Sequence, residues 1–148
     1  MIYRMNEASI EIPDGWHEQT LHIFSSEGPG KAGHSLVMTA EPLPPGKTLD
    51  AYKAMALTRL PHELPGFRLL QDLPANIQGR IPAVVLESQW EQEGSIMHVF
   101  QALFVVTTGS AKQPIKGYSL TMTVPELLYT EQSQLLFAQI LRSYQFDR

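Results

Sequence analysis

The sequence predicts an α+β protein: an antiparallel, twisted β-sheet with two main helices, one sheet face being the candidate for a concave apolar groove. Two observations lead there. Several short stretches alternate apolar and polar residues with period two, and two longer ones repeat apolar residues at helical spacing. Their order is strands, helix, strands, helix, without the regular β-α alternation of a parallel sheet.

The elements follow in order. Ser9 to Ile12 reads as a short strand stopped by Pro13-Asp14-Gly15, where proline fixes φ and glycine accepts positive φ. Trp16 to Ser25 is extended, with Leu21 and Ile23 on one side and His22 and Phe24 on the other. Glu27 to Gly33 is a glycine-rich loop, and His34 to Ala40 alternates again, Leu36, Met38 and Ala40 opposite Val37 and Thr39. Pro42-Leu43-Pro44-Pro45-Gly46 breaks that strand, and Thr48 then caps a helix with Asp50 in its first turn. Leu49, Tyr52, Met55, Ala56 and Leu60 form its apolar stripe, and Pro61 is expected to end it. Phe67 to Ile77 and Pro82 to Gln92 read as strands, and Glu93-Gly94 as a two-residue hairpin turn into Ser95 to Thr108. Gly117 to Val124 is a further strand. Thr130 caps the last helix, Glu131 to Tyr144, whose stripe is Leu136, Phe137, Ile140, Leu141 and Tyr144.

The central hairpin is the most informative stretch. If Gln92 pairs with Ser95, then Val84, Leu86, Ser88 and Trp90 share a face with Met97, Val99, Gln101, Leu103 and Val105. The other face holds Val85, Glu87 and Gln89 beside Ile96, His98, Phe100, Ala102, Phe104 and Val106. The first is almost continuously apolar and should meet a helix. The second is mixed, yet too apolar for a plain solvent face. Either the second helix covers it or it is a groove for a partner.

Composition limits the function classes. At 148 residues the length corresponds to one domain, 1–148, at about 150 residues per domain. The absence of cysteine excludes disulfides, thiolate catalysis and zinc ribbons. A net charge of −4 argues against nucleic acid, which needs a clustered basic face. The N-terminal segment, interrupted by Glu7 and Glu11, has no leader pattern, and the uncharged stretch Val99 to Thr108 is too short to span a bilayer. A cytoplasmic protein without stable membrane insertion is therefore expected. Charged residues make up 18% of the chain, below the roughly 25% of an ordinary domain, with apolar content an ordinary 43%. Something other than charge covers much of the surface, or part of it is not meant to be wet.

No enzyme, metal site or cofactor is legible. His17-Glu18 and His62-Glu63 are adjacent pairs that point apart in extended chain, and no second histidine lies at helical metal-ligand spacing. Gly28-Pro29-Gly30-Lys31-Ala32-Gly33 lacks the Gly-Lys-Ser/Thr ending of a phosphate loop. Gly109-Ser110-Ala111-Lys112 reads as a loop tip. His98 is placed to meet Glu87 or Gln89 across the hairpin, and its plain reading is a hydrogen-bonded strand histidine.

The punctuating residues do carry a resemblance. A short strand containing Tyr3 leads to Ile12-Pro13-x-x-Trp16; Thr48-Leu49-x-x-Tyr52 opens a helix that Leu64-Pro65-x-Phe67 closes; Gly79-x-x-Pro82-Ala83 precedes the strand with Trp90. This order, over nearly the whole chain, resembles the DcrB-related family with its PsbP-like fold. It is most similar to the short Eag-type (effector-associated) chaperones of bacterial type VI secretion. The resemblance implies a non-enzymatic homodimer that shields hydrophobic N-terminal transmembrane helices of a secreted effector toxin before loading onto the VgrG spike. Other members suggest the alternative, a small-ligand-binding or envelope-stress accessory protein of the DcrB-like class. The resemblance supplies no binding residues, so the groove is taken from the pattern above: Leu21, Ile23 and Val37 with Val85, Gln89, His98, Phe100 and Phe104. This set assumes that Leu36-Met38-Ala40 and Leu86-Val99-Leu103 face the helices.

Overall fold

The computed structural model describes residues 2–4, 9–15, 20–28, 33–44, 46–106 and 115–145. Trp16, His17, Lys31 and the Gly109–Lys112 tip lie outside them. The elements are β1 (Ile2–Arg4), β2 (Ser9–Glu11), β3 (Thr20–Ser25), β4 (Ser35–Leu43), α1 (Leu49–Glu63), β5 (Arg68–Ile77), β6 (Ile81–Gln92), β7 (Ser95–Val106), β8 (Ile115–Pro125) and α2 (Glu131–Ser143). A single 3-10 turn, Glu126–Leu128, links β8 to α2. β1 and β2 pair with each other, and the remaining strands form one antiparallel sheet in the order β3-β4-β8-β7-β6-β5. The α+β class and antiparallel sheet are as expected.

The turn between β6 and β7 sets the sheet's register. Glu93 and Gly94 both have positive φ, 50° and 85°, the left-handed pair that a two-residue hairpin matching strand twist requires. Gln92 therefore pairs with Ser95, and Leu86, Ser88 and Trp90 lie beside Gln101, Val99 and Met97. β8 then pairs with β7 on one side and with β4 on the other, carrying the same alternation across to β3.

A helix packs on each face. α1 covers the side of Val84, Leu86 and Leu103, burying Tyr52 and Ala56 against them and Leu43; Lys53 pairs with Asp72 of β5 on the same side. α2 covers the side of Phe100, Ala102, Phe104, Leu120 and Met122 with Phe137 and Leu141. Both assumed sets do face helices, but different ones: Leu36 and Met38 pack with the α2 core, whereas Leu86 and Leu103 pack with α1.

Two proline expectations fail for local reasons. β4 runs through Pro42 to Leu43 because pairing with β3 stops at Ala40, so the missing N–H falls where only β8 lies beside it among the described residues. α1 continues past Pro61 to Glu63, since one lost donor in the last turn still leaves the Leu64 N–H bonded to the Leu60 carbonyl at 2.9 Å.

Gly117 admits α1 to the sheet. A Cβ there would stand 2.8 Å from the Tyr52 ring and 3.0 Å from Leu43 Cδ1. Gly117→Ala is expected to cost about 1–3 kcal/mol by overpacking, read as a lower urea midpoint at unchanged slope.

Candidate functional site

The eight residues proposed from sequence do not form one surface. Leu21, Ile23 and Val37 align through Thr39 and Thr121 with Gln101, Val99 and Leu103, on the α1 side. Val85, Gln89, His98, Phe100 and Phe104 lie on the opposite side. There α2 covers the aromatics: Phe100 is 3% exposed and Phe104 is fully buried. The mixed hairpin face is thus the underside of the second helix, and the single groove drawn across both sets is corrected. Alternation alone could not show this, because the parity between β4 and the hairpin passes through β8, pairing residues about eighty positions apart in sequence.

Among the described residues, what α1 leaves open on its side of the sheet is the part towards β3. Its rows are Ser25, Ser35 and Thr123, then Ile23, Val37, Thr121 and Gln101, then Leu21 and Thr39, and they run inward to the buried Val99, Ser88 and Ser119. These residues are uncharged. Leu21 and Ile23 on the edge strand are 56% and 63% exposed, and Val37, Thr39, Gln101, Thr121 and Thr123 are half-buried. The surface is apolar with hydroxyl and amide groups set among β-branched side chains. Thr39, Gln101, Thr121 and Thr123 were not among the eight, although alternation already placed Thr39 beside Val37 and Gln101 on the Leu86 side of the hairpin.

Where this face runs under α1 it deepens into a cavity of about 500 Å³ lined by Leu21, Thr39, Glu41, Tyr52, Arg59, Gln101 and Ser119, among others. A chain of hydroxyls crosses its floor. The Glu41 carboxylate accepts from the Tyr52 hydroxyl, Ser119 bonds to the Tyr52 oxygen, and Thr39 Oγ1 lies 2.6 Å from Ser119 Oγ. Either hydroxyl of the Thr39–Ser119 pair can donate, since each also accepts. Burial, then the Glu41 charge and hydrogen bond, push the Tyr52 hydroxyl well above its ordinary range.

On the α2 side His98, 3% exposed, bonds Glu87 Oε2 through Nε2 at 2.7 Å and Glu126 Oε2 through Nδ1 at 2.8 Å. Tyr129 stacks on its ring at 3.8 Å and 15°. The contact expected across the hairpin is present; Glu126 was not foreseen, since it arrives from the turn beyond β8. Among the described residues no group of three or more His, Asp or Glu side chains is arranged to hold a metal ion, and no helix is long and apolar enough to cross a membrane.

A six-stranded antiparallel sheet with one helix on each face and an uncharged open patch defines the architecture as α+β. The chain belongs to the DcrB family, whose model matches residues 7–143. It is 36% identical over 94 residues to Effector EagT6 of Pseudomonas aeruginosa, a match covering 63% of this chain and 65% of that protein, so under two thirds of the relative's length is spanned. The crystal structure of PA94 from Pseudomonas aeruginosa superposes with a TM-score of 0.68 at 28% identity, covering 100% of this chain and 97% of that one. LpqN of Mycobacterium tuberculosis, involved in cell envelope biogenesis, shares the fold with a TM-score of 0.55 at 15% identity, over 86% and 82% of the two chains.

Tyr52→Phe is expected to lower stability by about 1–3 kcal/mol, because Ser119 and Glu41 lose a buried partner. The same variant should reduce the alkaline loss of stability. Above about pH 10 an unfolded tyrosine gives up its proton while the native Tyr52 keeps it, so the unfolded state binds fewer protons and stability falls with pH. Denaturant midpoints on both sides of that pH test it.

Proposed function

We propose that the chain is an effector-associated chaperone of type VI secretion. In this reading it holds hydrophobic N-terminal transmembrane helices of a secreted toxin on the open α1-side face, in the cytoplasm, and hands the toxin to the VgrG spike. The single observation that carries the reading is the uncharged patch of Leu21, Ile23, Val37, Thr121 and Gln101 beside a half-roofed cavity. A transmembrane helix presents about 20 apolar residues that water must not meet. At roughly 25 cal/mol per Å², covering even half of it avoids many kcal/mol of exposure. Ser and Thr hydroxyls and Gln101 suit the small-residue faces by which such helices pack with one another, where hydrogen bonds add to close contact. Membership of the DcrB family and similarity to a protein named as Effector EagT6 support the reading.

The homodimer belongs to the same proposal, and the sheet edges support it. β5 is blunted by a register shift between Leu69 and Gln71, by Arg68 and Asp72, and by Pro74. β3, Thr-Leu-His-Ile-Phe-Ser, has no lysine, arginine, acidic residue or proline. An uncharged edge strand of this kind, last in the sheet among the described residues, is a template for strand pairing.

The alternative, a small-ligand-binding or envelope-stress accessory role, draws on one observation: a largely apolar cleft of about 240 Å³ between α2 and the β5–β6 strands. It lies on the other face from the patch, so the two readings respond to different substitutions.

Co-expression with a toxin's hydrophobic N-terminal segment should solubilise and co-purify that segment. Ile23→Asp and Val37→Asp should each reduce capture by about tenfold or more at little cost to melting temperature, both positions being partly solvated. Phe100→Asp should instead unfold the protein, because it buries a charge beneath α2. Capture unchanged by both β3 and β4 substitutions, or a monomer by light scattering, overturns the corresponding part of the proposal.

A further inference from the structure

The open face leaves unused the most deeply buried titratable group described on the sheet, His98. Its two ring nitrogens approach carboxylate oxygens on two different elements, Glu87 on β6 and Glu126 in the turn that leads into α2. A nitrogen and a carboxylate oxygen under 3 Å apart attract only with a proton between them. Two such contacts need two protons, whichever atom carries each. With one proton removed, one contact becomes lone pair against lone pair at an imidazole that is 4% exposed, although the Glu126 carboxylate itself is 37% exposed.

The surroundings offer little compensation. Gln89 pairs with His98 on β6, Val124 pairs with it on β8, Tyr129 stacks on it, and Glu131 stands at the start of α2. The nearest cation reached through these neighbours is Arg68 of β5, bonded to Gln89 at 3.2 Å. Burial first, and then Glu87, Glu126 and Glu131, raise the Tyr129 hydroxyl above its ordinary range, as an excess of negative charge would. The other polar anchor of α2, His34 Nε2 to Ser133 Oγ at 2.9 Å, works in either protonation state because a hydroxyl both donates and accepts. Only the His98 contacts count protons.

We propose that Glu87, His98 and Glu126 form a proton-dependent latch on α2: with two shared protons it holds the Glu126–Leu128 turn and the helix on the sheet, and loss of one releases them. The apolar side bared on release is that of Phe100 and Met122, with Phe137 withdrawn from it. The latch lies on the face opposite the proposed helix-binding patch, so it stands or falls independently of that function.

Backbone amide exchange of the whole free protein tests it, each rate corrected for its intrinsic pH dependence and α1 serving as internal reference. On raising the pH from about 6 to about 9, protection across α2 should fall about tenfold or more relative to α1. Glu126→Gln should abolish this dependence, because an amide donates to a bare Nδ1 or accepts from a protonated one. His98→Phe keeps the stack and loses both bonds, and should leave α2 weakly protected at every pH. Protection of α2 that tracks α1 throughout, or a pH dependence retained in Glu126→Gln, overturns the latch.

Discussion

The positive φ angles of Glu93 and Gly94 set the parity of the sheet, and nearly everything else depends on that parity. The turn pairs Gln92 with Ser95, and side chains alternate with period two, so a slip of one residue would exchange the two faces of β6 and β7. Phe100 and Phe104 would then meet α1, and Gln101 and Ser88 would lie beneath α2. Neither helix fits that exchange. Tyr52 of α1 needs the bare backbone of Gly117, which lies beside Val105. Phe137 of α2 and Tyr144 just beyond it need aromatic partners, with Phe137 and Phe100 centroids 5.6 Å apart and Tyr144 edge-on to Phe104 at 5.3 Å.

This arrangement also locates part of the low charge content. A sheet with one wet face would carry charges at alternate positions along each strand. Here α1 and α2 shelter most of both faces, and the portion α1 leaves open is lined with Ser, Thr, Val and Gln rather than Lys or Glu. The charged groups that do point to the α1 side are tied up at its margins. Glu41 accepts from Tyr52, and Asp72 pairs with Lys53.

Local features were legible in the sequence, and long-range parity was not. The hairpin register, the Thr48 cap and the meeting of His98 with Glu87 each depend on residues within one turn or one strand pair, where alternation and turn chemistry are decisive. The grouping of Leu21, Ile23 and Val37 was legible too, since β3 and β4 are consecutive strands that pair directly. Joining that group to Phe100 and Phe104 required knowing which strand separates β4 from β7. That strand is β8, and its intervention puts Val37 beside Thr121 and Gln101 instead. Pro42 and Pro61 misled for a related reason: a proline's cost depends on whether a partner waits for its missing N–H, and that partner is a matter of tertiary placement.

The two faces solve the problem of buried polarity in opposite ways. Beneath α2 the buried imidazole of His98 is satisfied from within the chain, by two carboxylates. On the open side the Thr39, Thr121 and Thr123 hydroxyls and the Gln101 amide stand half-buried among apolar side chains. A hydroxyl both donates and accepts, and so does an amide, so water satisfies these groups while the face is empty. In the proposed role the same groups meet the hydroxyls on the small-residue side of a membrane helix, and the side chains of Leu21, Ile23 and Val37 meet its apolar ones. One face is therefore polar beneath a helix of its own, and the other keeps its polar groups for a helix that comes from outside.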